Sequence, residues 1–162
     1  MLLLEKLIAE VDGRRLLDGI DLVVRRGEFL AAVTDDAPRR RILIELLVGR
    51  RRPDGGRVRV DGLDPARDGR LLAHRIVTIS GPRPTTGGND HDSLRVPLRL
   101  DGSPRGDVWL LDEPTSGSDA AATDRFVVDL IDLHPRWRPT ALLLTGDPQL
   151  AARVCGQVVH LA

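Results

Sequence analysis

Apolar positions along the chain fall into short alternating or continuous runs cut by polar turns, with two longer stretches of helical period between them. Residues 2–10 and 16–24 alternate and are joined through Asp12-Gly13, which suits a tight hairpin turn. A third strand over 28–33 follows the turn Arg25-Arg26-Gly27, and a fourth over 57–60 is closed by Asp61-Gly62. Further strands are expected at 75–79, 107–111, 140–145 and 157–161. The run Val108-Trp109-Leu110-Leu111 is too short for a helix and reads as a strand buried on both faces. Helices are predicted over 38–48 and 119–133, the second with Phe126, Leu130 and Leu133 on one face as a core stripe. Residues 63–73 read as a polar linker with a short helix. The pattern is that of an α/β protein, with the strands ending at Val33, Leu111 and Leu144 in one largely parallel sheet.

At 162 residues the chain has the length of one domain with a sizeable core. Its 24 basic residues balance 24 acidic ones, so no global field steers it to nucleic acid or an anionic membrane. Every basic residue but Lys6 is Arg, a bias that weakens arguments from any single Arg. The one cysteine, Cys155, reads as a small hydrophobe near a terminal strand, which fits a reducing compartment. The opening MLLLEKLIAEV carries Glu5 and Glu10 and lacks a basic leader region, so neither signal peptide nor membrane insertion is expected, and the location expected is cytoplasmic. His74, His134 and His160 have no spaced partners, and Asn89-Asp90-His91-Asp92 read as solvated loop residues, so no metal site is expected. Arg50-Arg51-Arg52 follows a helix end, where positive charge suits the dipole, and Arg51→Ala is expected to change stability little.

One stretch carries candidate chemistry. Val108 to Asp119, VWLLDEPTSGSD, is a buried strand ending in Asp112 and Glu113, then a Ser/Gly turn into a helix. The string closely resembles the Walker B and D-loop segment of ATP-binding cassette (ABC) ATPases. That resemblance implies a P-loop NTPase-like mixed sheet flanked by helices, with an N-terminal antiparallel β-subdomain formed by residues 2–33. It implies that Asp112 would hold Mg²⁺ through water, that Glu113 would polarise the attacking water, and that Ser116, Gly117 and Asp119 form the D-loop.

Elsewhere the family's chemical positions are occupied by other residue types. Residues 34–42, TDDAPRRRI, stand where the Walker A motif belongs. The glycines correspond to Thr34, Ala37 and Arg39, the Lys to Arg40, and the hydroxyl residues to Arg41 and Ile42. Glycines there would let backbone N–H groups curl around phosphate, so side chains in their place fill the volume a phosphate needs. The Q-loop Gln corresponds to Gly81, the adenine-stacking aromatic to Val11, and the switch His to Gly146. Residues 82–106 form a short loop in place of the helical subdomain and signature; Thr85 to Gly88 make a poor signature relic, and Arg95 to Leu100 resemble the tail of the signature helix.

Either Arg39, Arg40 and Arg41 rebuild an anion site, or the phosphate site is filled from within. In the second reading Asp36 caps the helix, Pro38 opens it, and Arg40 points toward Asp112 and Glu113. The expectation is a single truncated domain over 1–162, a pseudo-ATPase acting by association with another ABC ATPase, a transporter subunit or a second copy. No cofactor is expected, with ATP and Mg²⁺ only if the family activity persists. The alternatives are an ATP-hydrolysing subunit using the Arg cluster, and a remnant without a role.

Overall fold

The computed structural model describes residues 1–81 and 106–161. The expectations for residues 82–105, namely the short loop, Thr85 to Gly88, Asn89 to Asp92 and Arg95 to Leu100, lie outside the described residues. Twelve elements follow in chain order: β1 (Leu2–Val11), β2 (Arg14–Val24), β3 (Phe29–Val33), α1 (Ala37–Leu47), β4 (Gly55–Val60), α2 (Pro65–Leu72), β5 (Ile76–Ser80), β6 (Val108–Asp112), α3 (Ala120–Trp137), β7 (Thr140–Thr145), α4 (Pro148–Val154) and β8 (Gln157–His160).

Two sheets result. An antiparallel sheet runs β2-β1-β4, and a five-stranded sheet runs β5-β6-β7-β3-β8 with every pairing parallel. The β1–β2 turn places Asp12 and Gly13 at φ 49° and 75°, the left-handed pair a two-residue hairpin needs. β3 and β7 are buried at every position, so continuous apolar runs replace alternation, and crossover helices cover both faces. One core cluster joins the antiparallel sheet, α1 and one face of the parallel sheet. The other face packs on α3 and α4 through Trp109, Phe126, Leu130 and Leu150.

The structure corrects several boundaries. β4 begins at Gly55, not 57, because Gly56 passes close to β1: a Cβ there would stand 2.3 Å from the Lys6 carbonyl. α3 continues past Leu133 to Trp137, since Pro135 removes a donor only from the last turn. α4 was not foreseen. Its start carries a capping Asp147, whose side chain accepts from the N–H of Gln149 and Leu150, followed by Pro148 in the first turn.

Candidate functional site

The carboxyl ends of β3, β6 and β7 lie side by side, so Thr34, Asp112-Glu113 and Thr145-Gly146 meet at one edge, where α1 also begins. Ligands of open parallel sheets sit at this edge. α1 starts there because Asp36 is extended and its carboxylate accepts from the Arg39 N–H at 3.1 Å, while Pro in the first turn needs no partner. The Thr34 hydroxyl accepts from the Asp36 N–H at 3.3 Å and closes the loop.

Arg40, on the first turn of α1, turns inward. Its Nη1 donates to the Thr34 carbonyl at 2.7 Å and lies 3.3 Å from Glu113 Oε1; its Nε lies 3.5 Å from Asp112 Oδ1. The Arg40 side chain is only 12% exposed. Its Nε makes no directed hydrogen bond, so the contact with Asp112 is one of charge.

Glu113 is fixed from three sides. It has φ 42°, a left-handed conformation unfavourable for a residue with a Cβ. The Thr145 hydroxyl donates to its Oε2 at 3.0 Å and the Gly146 N–H to its Oε1 at 2.6 Å. Burial pushes the Asp112 carboxyl up from its ordinary range, Arg40 pulls it back, and neighbouring Glu113 adds to the rise.

Gly146 and Gly81 have no room for side chains. A Cβ at Gly146 would stand 2.5 Å from Asp35 Oδ1 and 3.4 Å from Glu113 Oε1; one at Gly81 would stand 2.4 Å from the Glu113 carbonyl. Asp35, Thr34 and Thr145 thus shape the site, although of the three only Thr34 stood out in the sequence, and there as a side chain in place of a glycine.

The three arginines part company. Arg39 donates from Nε to the Leu16 carbonyl at 2.9 Å and from Nη1 to the Leu161 carbonyl at 3.0 Å, so it ties β2 to the segment after β8. Arg41 is 80% exposed and, among the described residues, pairs with Glu45 on its own helix. Asp119 caps α3, accepting from the Ala122 N–H at 2.7 Å. Val11 borders a groove of about 470 Å³ with Leu16, Pro38 and Ile42 beside α1.

Arg51 differs from expectation. It reaches back to the Glu10 carbonyl and to Asp54, and its buried Nε is left without a hydrogen bond, so it is no bland surface residue. Among the histidines, His134 meets the Gly27 carbonyl at 2.7 Å and His160 lies in edge strand β8. Cys155 is buried, which pushes its thiol up to about 12 and leaves it inert. Among the described residues no group of three or more His, Cys, Asp or Glu is arranged to hold a metal, and no helix is long and apolar enough to cross a membrane.

Comparison with known proteins places this geometry in context. No protein-family model matches the chain. It is 29% identical over 180 residues to the aliphatic sulfonates import ATP-binding protein SsuB 1 of Nocardia farcinica, covering 91% of this chain and 72% of that protein. It is 30% identical over 180 residues to SsuB 3 of Rhodococcus jostii, covering 91% and 66%. It is 27% identical over 199 residues to the lipoprotein-releasing system ATP-binding protein LolD of Anaeromyxobacter dehalogenans, covering 90% and 82%. Among solved structures, cbiO1 of Clostridium perfringens, part of an ABC transporter complex, superposes with TM-score 0.76 at 19% identity over 98% of this chain and 83% of its own. A bacterial ABC transporter cassette solved as a dimer gives 0.74 at 14% identity over 99% and 94%. The structural likenesses bear on fold, the sequence likenesses on descent.

Proposed function

This chain belongs to the ATP-binding cassette family of transporter ATP-binding proteins, and on that premise we propose that it is a non-catalytic subunit that acts by association. Its partner is another ABC ATPase, a transporter subunit or a second copy of the chain. We read residues 1–162 as one cassette-like domain in which 82–106 replace the helical subdomain.

The observation that carries the reading is the guanidinium of Arg40 set against Asp112 and Glu113 at 3.5 and 3.3 Å. In the family those carboxylates serve Mg²⁺ and the attacking water. Here the chain's own guanidinium already pairs with both of them. Phosphates fare no better: the Asp36 carboxylate already takes the Arg39 N–H of the first turn, and Asp35 stands over Gly146. Two carboxylates at a helix start repel the anion that the positive end of its dipole would attract. The residues present do not fit Mg²⁺ and a nucleotide triphosphate, and no step of hydrolysis is derived from them. Phosphoryl transfer depends on positioning and charge stabilisation, so a general base without a phosphate cradle is idle.

The alternative, an ATP-hydrolysing subunit with an arginine phosphate site, would need Arg39 and Arg40 free. Arg39 spends two donors on carbonyls 2.9 and 3.0 Å away, and Arg40 is engaged with three acceptors. Calorimetric titration with Mg-ATP is expected to give no saturable heat, and phosphate release to stay at background in both the parent and Glu113→Gln. Turnover that Glu113→Gln abolishes would overturn the reading. Association is tested separately, by light scattering on the chain alone and mixed with a purified ABC ATPase.

A further inference from the structure

The opposite edge of the parallel sheet, where β3, β6 and β7 begin, holds a second concentration of arginine. A cavity of about 530 Å³ lies there, within the range of small-molecule sites. Its wall includes Arg26 from the β2–β3 turn, Arg75 before β5, and Trp137 and Arg138 between α3 and β7, together with Asp61 and Asp107. Three arginines from segments far apart in sequence therefore line one cavity.

Among the described residues, the ion pairs do not account for all of them. Asp61, 7% exposed, already has the Met1 amino group at 2.6 Å from Oδ1. Burial raises its pKa, but the bond from that amino group and the charge of Arg26 outweigh burial and hold it below the usual range, so it is ionised at neutral pH. Arg26 lies 3.3 Å from Oδ1 and Arg75 3.8 Å from Oδ2, each touching it through one nitrogen. A guanidinium has five N–H donors. Most of those on Arg26 and Arg75, side chains 77% and 50% exposed, are thus turned to the cavity or solvent.

Arg138 is placed there against a backbone preference. Its φ is 46°, a left-handed value more often given to glycine at a helix end, and its N–H donates to the His134 carbonyl at 2.8 Å. Gly27 lies against it so closely that a Cβ there would meet the Arg138 Cβ at 3.3 Å. The carboxyl end of α3 adds about half a negative charge nearby, less than one guanidinium supplies. Trp137 leaves 46% of its surface exposed beside these cations, an aromatic face on which a flat group can lie.

We propose that this cavity binds a small organic oxyanion with a flat apolar body, its charged head among Arg26, Arg75 and Arg138 and its body on Trp137. The site is separate from the Asp112-Glu113 edge and does not depend on whether that edge handles nucleotide.

Tryptophan emission tests it directly, because Trp109 is fully buried while Trp137 is not. An anion-concentrating site makes iodide quench Trp137 more than neutral acrylamide does, by about twofold or more relative to free N-acetyltryptophanamide at low ionic strength. Benzoate, the probe ligand, should protect Trp137 from iodide in a saturable way. Arg75→Gln and Arg138→Gly should each lower both the iodide excess and the protection, leaving acrylamide quenching unchanged. Glycine accepts the φ of Arg138 and so preserves the turn. Should Arg138→Gly fail to fold, Arg75→Gln, at a half-exposed position, carries the test. An iodide-to-acrylamide ratio equal to that of the free indole, protection that never saturates, or a ratio unmoved by Arg75→Gln would overturn the proposal.

Discussion

The two edges of the parallel sheet use arginine in opposite ways. At the carboxyl edge, Arg39 and Arg40 are consumed by the chain itself: three backbone carbonyls take their donors, two carboxylates pair with Arg40, and the Arg40 side chain is 12% exposed. At the amino edge, Arg26 and Arg75 share one carboxylate and remain 77% and 50% exposed. The same residue type is a structural fastener in the first place and an open cation in the second. Which it becomes depends on how many acceptors the fold brings within reach before solvent does. A buried guanidinium must have them, whereas an exposed one can stay hydrated.

The largest test of this contrast is a pair of substitutions on one helix. Removing one partner of a buried charge group costs about 3–5 kcal/mol, while exposed pairs are worth about 0–1. Asp112 and Glu113 are 30% and 26% exposed, which screens them in part. Arg40→Ala is therefore expected to cost about 2–4 kcal/mol in urea melts, and Arg41→Ala, 80% exposed, under about 0.5. Arg40→Lys should recover only part, since a point charge cannot serve the Thr34 carbonyl and two carboxylates at once. Equal midpoints for the two alanine variants would erase the distinction between the edges.

Much of this was legible in the sequence where a local rule decides it. The apolar run at 108–111 could be read as a doubly covered strand and those within 28–33 and 140–145 as strands, and Asp36 with Pro38 could be read as a helix start from four residues. The same grammar stood at Asp147-Pro148, but a seven-residue helix has too few apolar positions to show a period, and α4 passed unnoticed. Long-range contacts lay beyond reach. Arg39 meets Leu161 across 122 positions and Arg51 meets Glu10 across 41, and nothing in the adjoining residues of either names its acceptor. The closeness of Asp35 to Gly146 is likewise a product of β3 pairing with β7.

A smaller effect separates the capping of α1 from its charge. Asp36 accepts from the Arg39 N–H at 3.1 Å and stands 3.4 Å from Arg14, whose side chain is 71% exposed. The exposed pair should contribute little, so Asp36→Ala is expected to cost about 1 kcal/mol, the usual loss of an N-cap, and Asp36→Ser to restore most of it. If Asp36→Asn, which can still cap, proved as damaging as Asp36→Ala, the ion pair rather than the cap would hold this end of α1.

The smallest expected effect is also the one that depends on pH. Burial raises the Asp112 carboxyl in the folded chain, against the partial relief given by Arg40. A carboxyl raised on folding holds its proton more tightly in the native state, so its ionised form destabilises the fold at all pH values above the raised pKa. That penalty is relieved as pH falls through the raised value toward the ordinary carboxylate range of about 4. Asp112→Asn removes the penalty and leaves Arg40 with Glu113 and the Thr34 carbonyl. The variant should thus be as stable as the parent or more so near pH 7, by no more than about 1 kcal/mol for a partly exposed group, with any advantage shrinking as the pH approaches 4. Urea melts of both proteins between pH 7 and pH 4 measure the trend. A parent that gains on the variant as pH rises would mean that the attraction of Arg40 for Asp112 exceeds the penalty of burial, making Asp112 rather than Glu113 the principal anchor of the inward arginine.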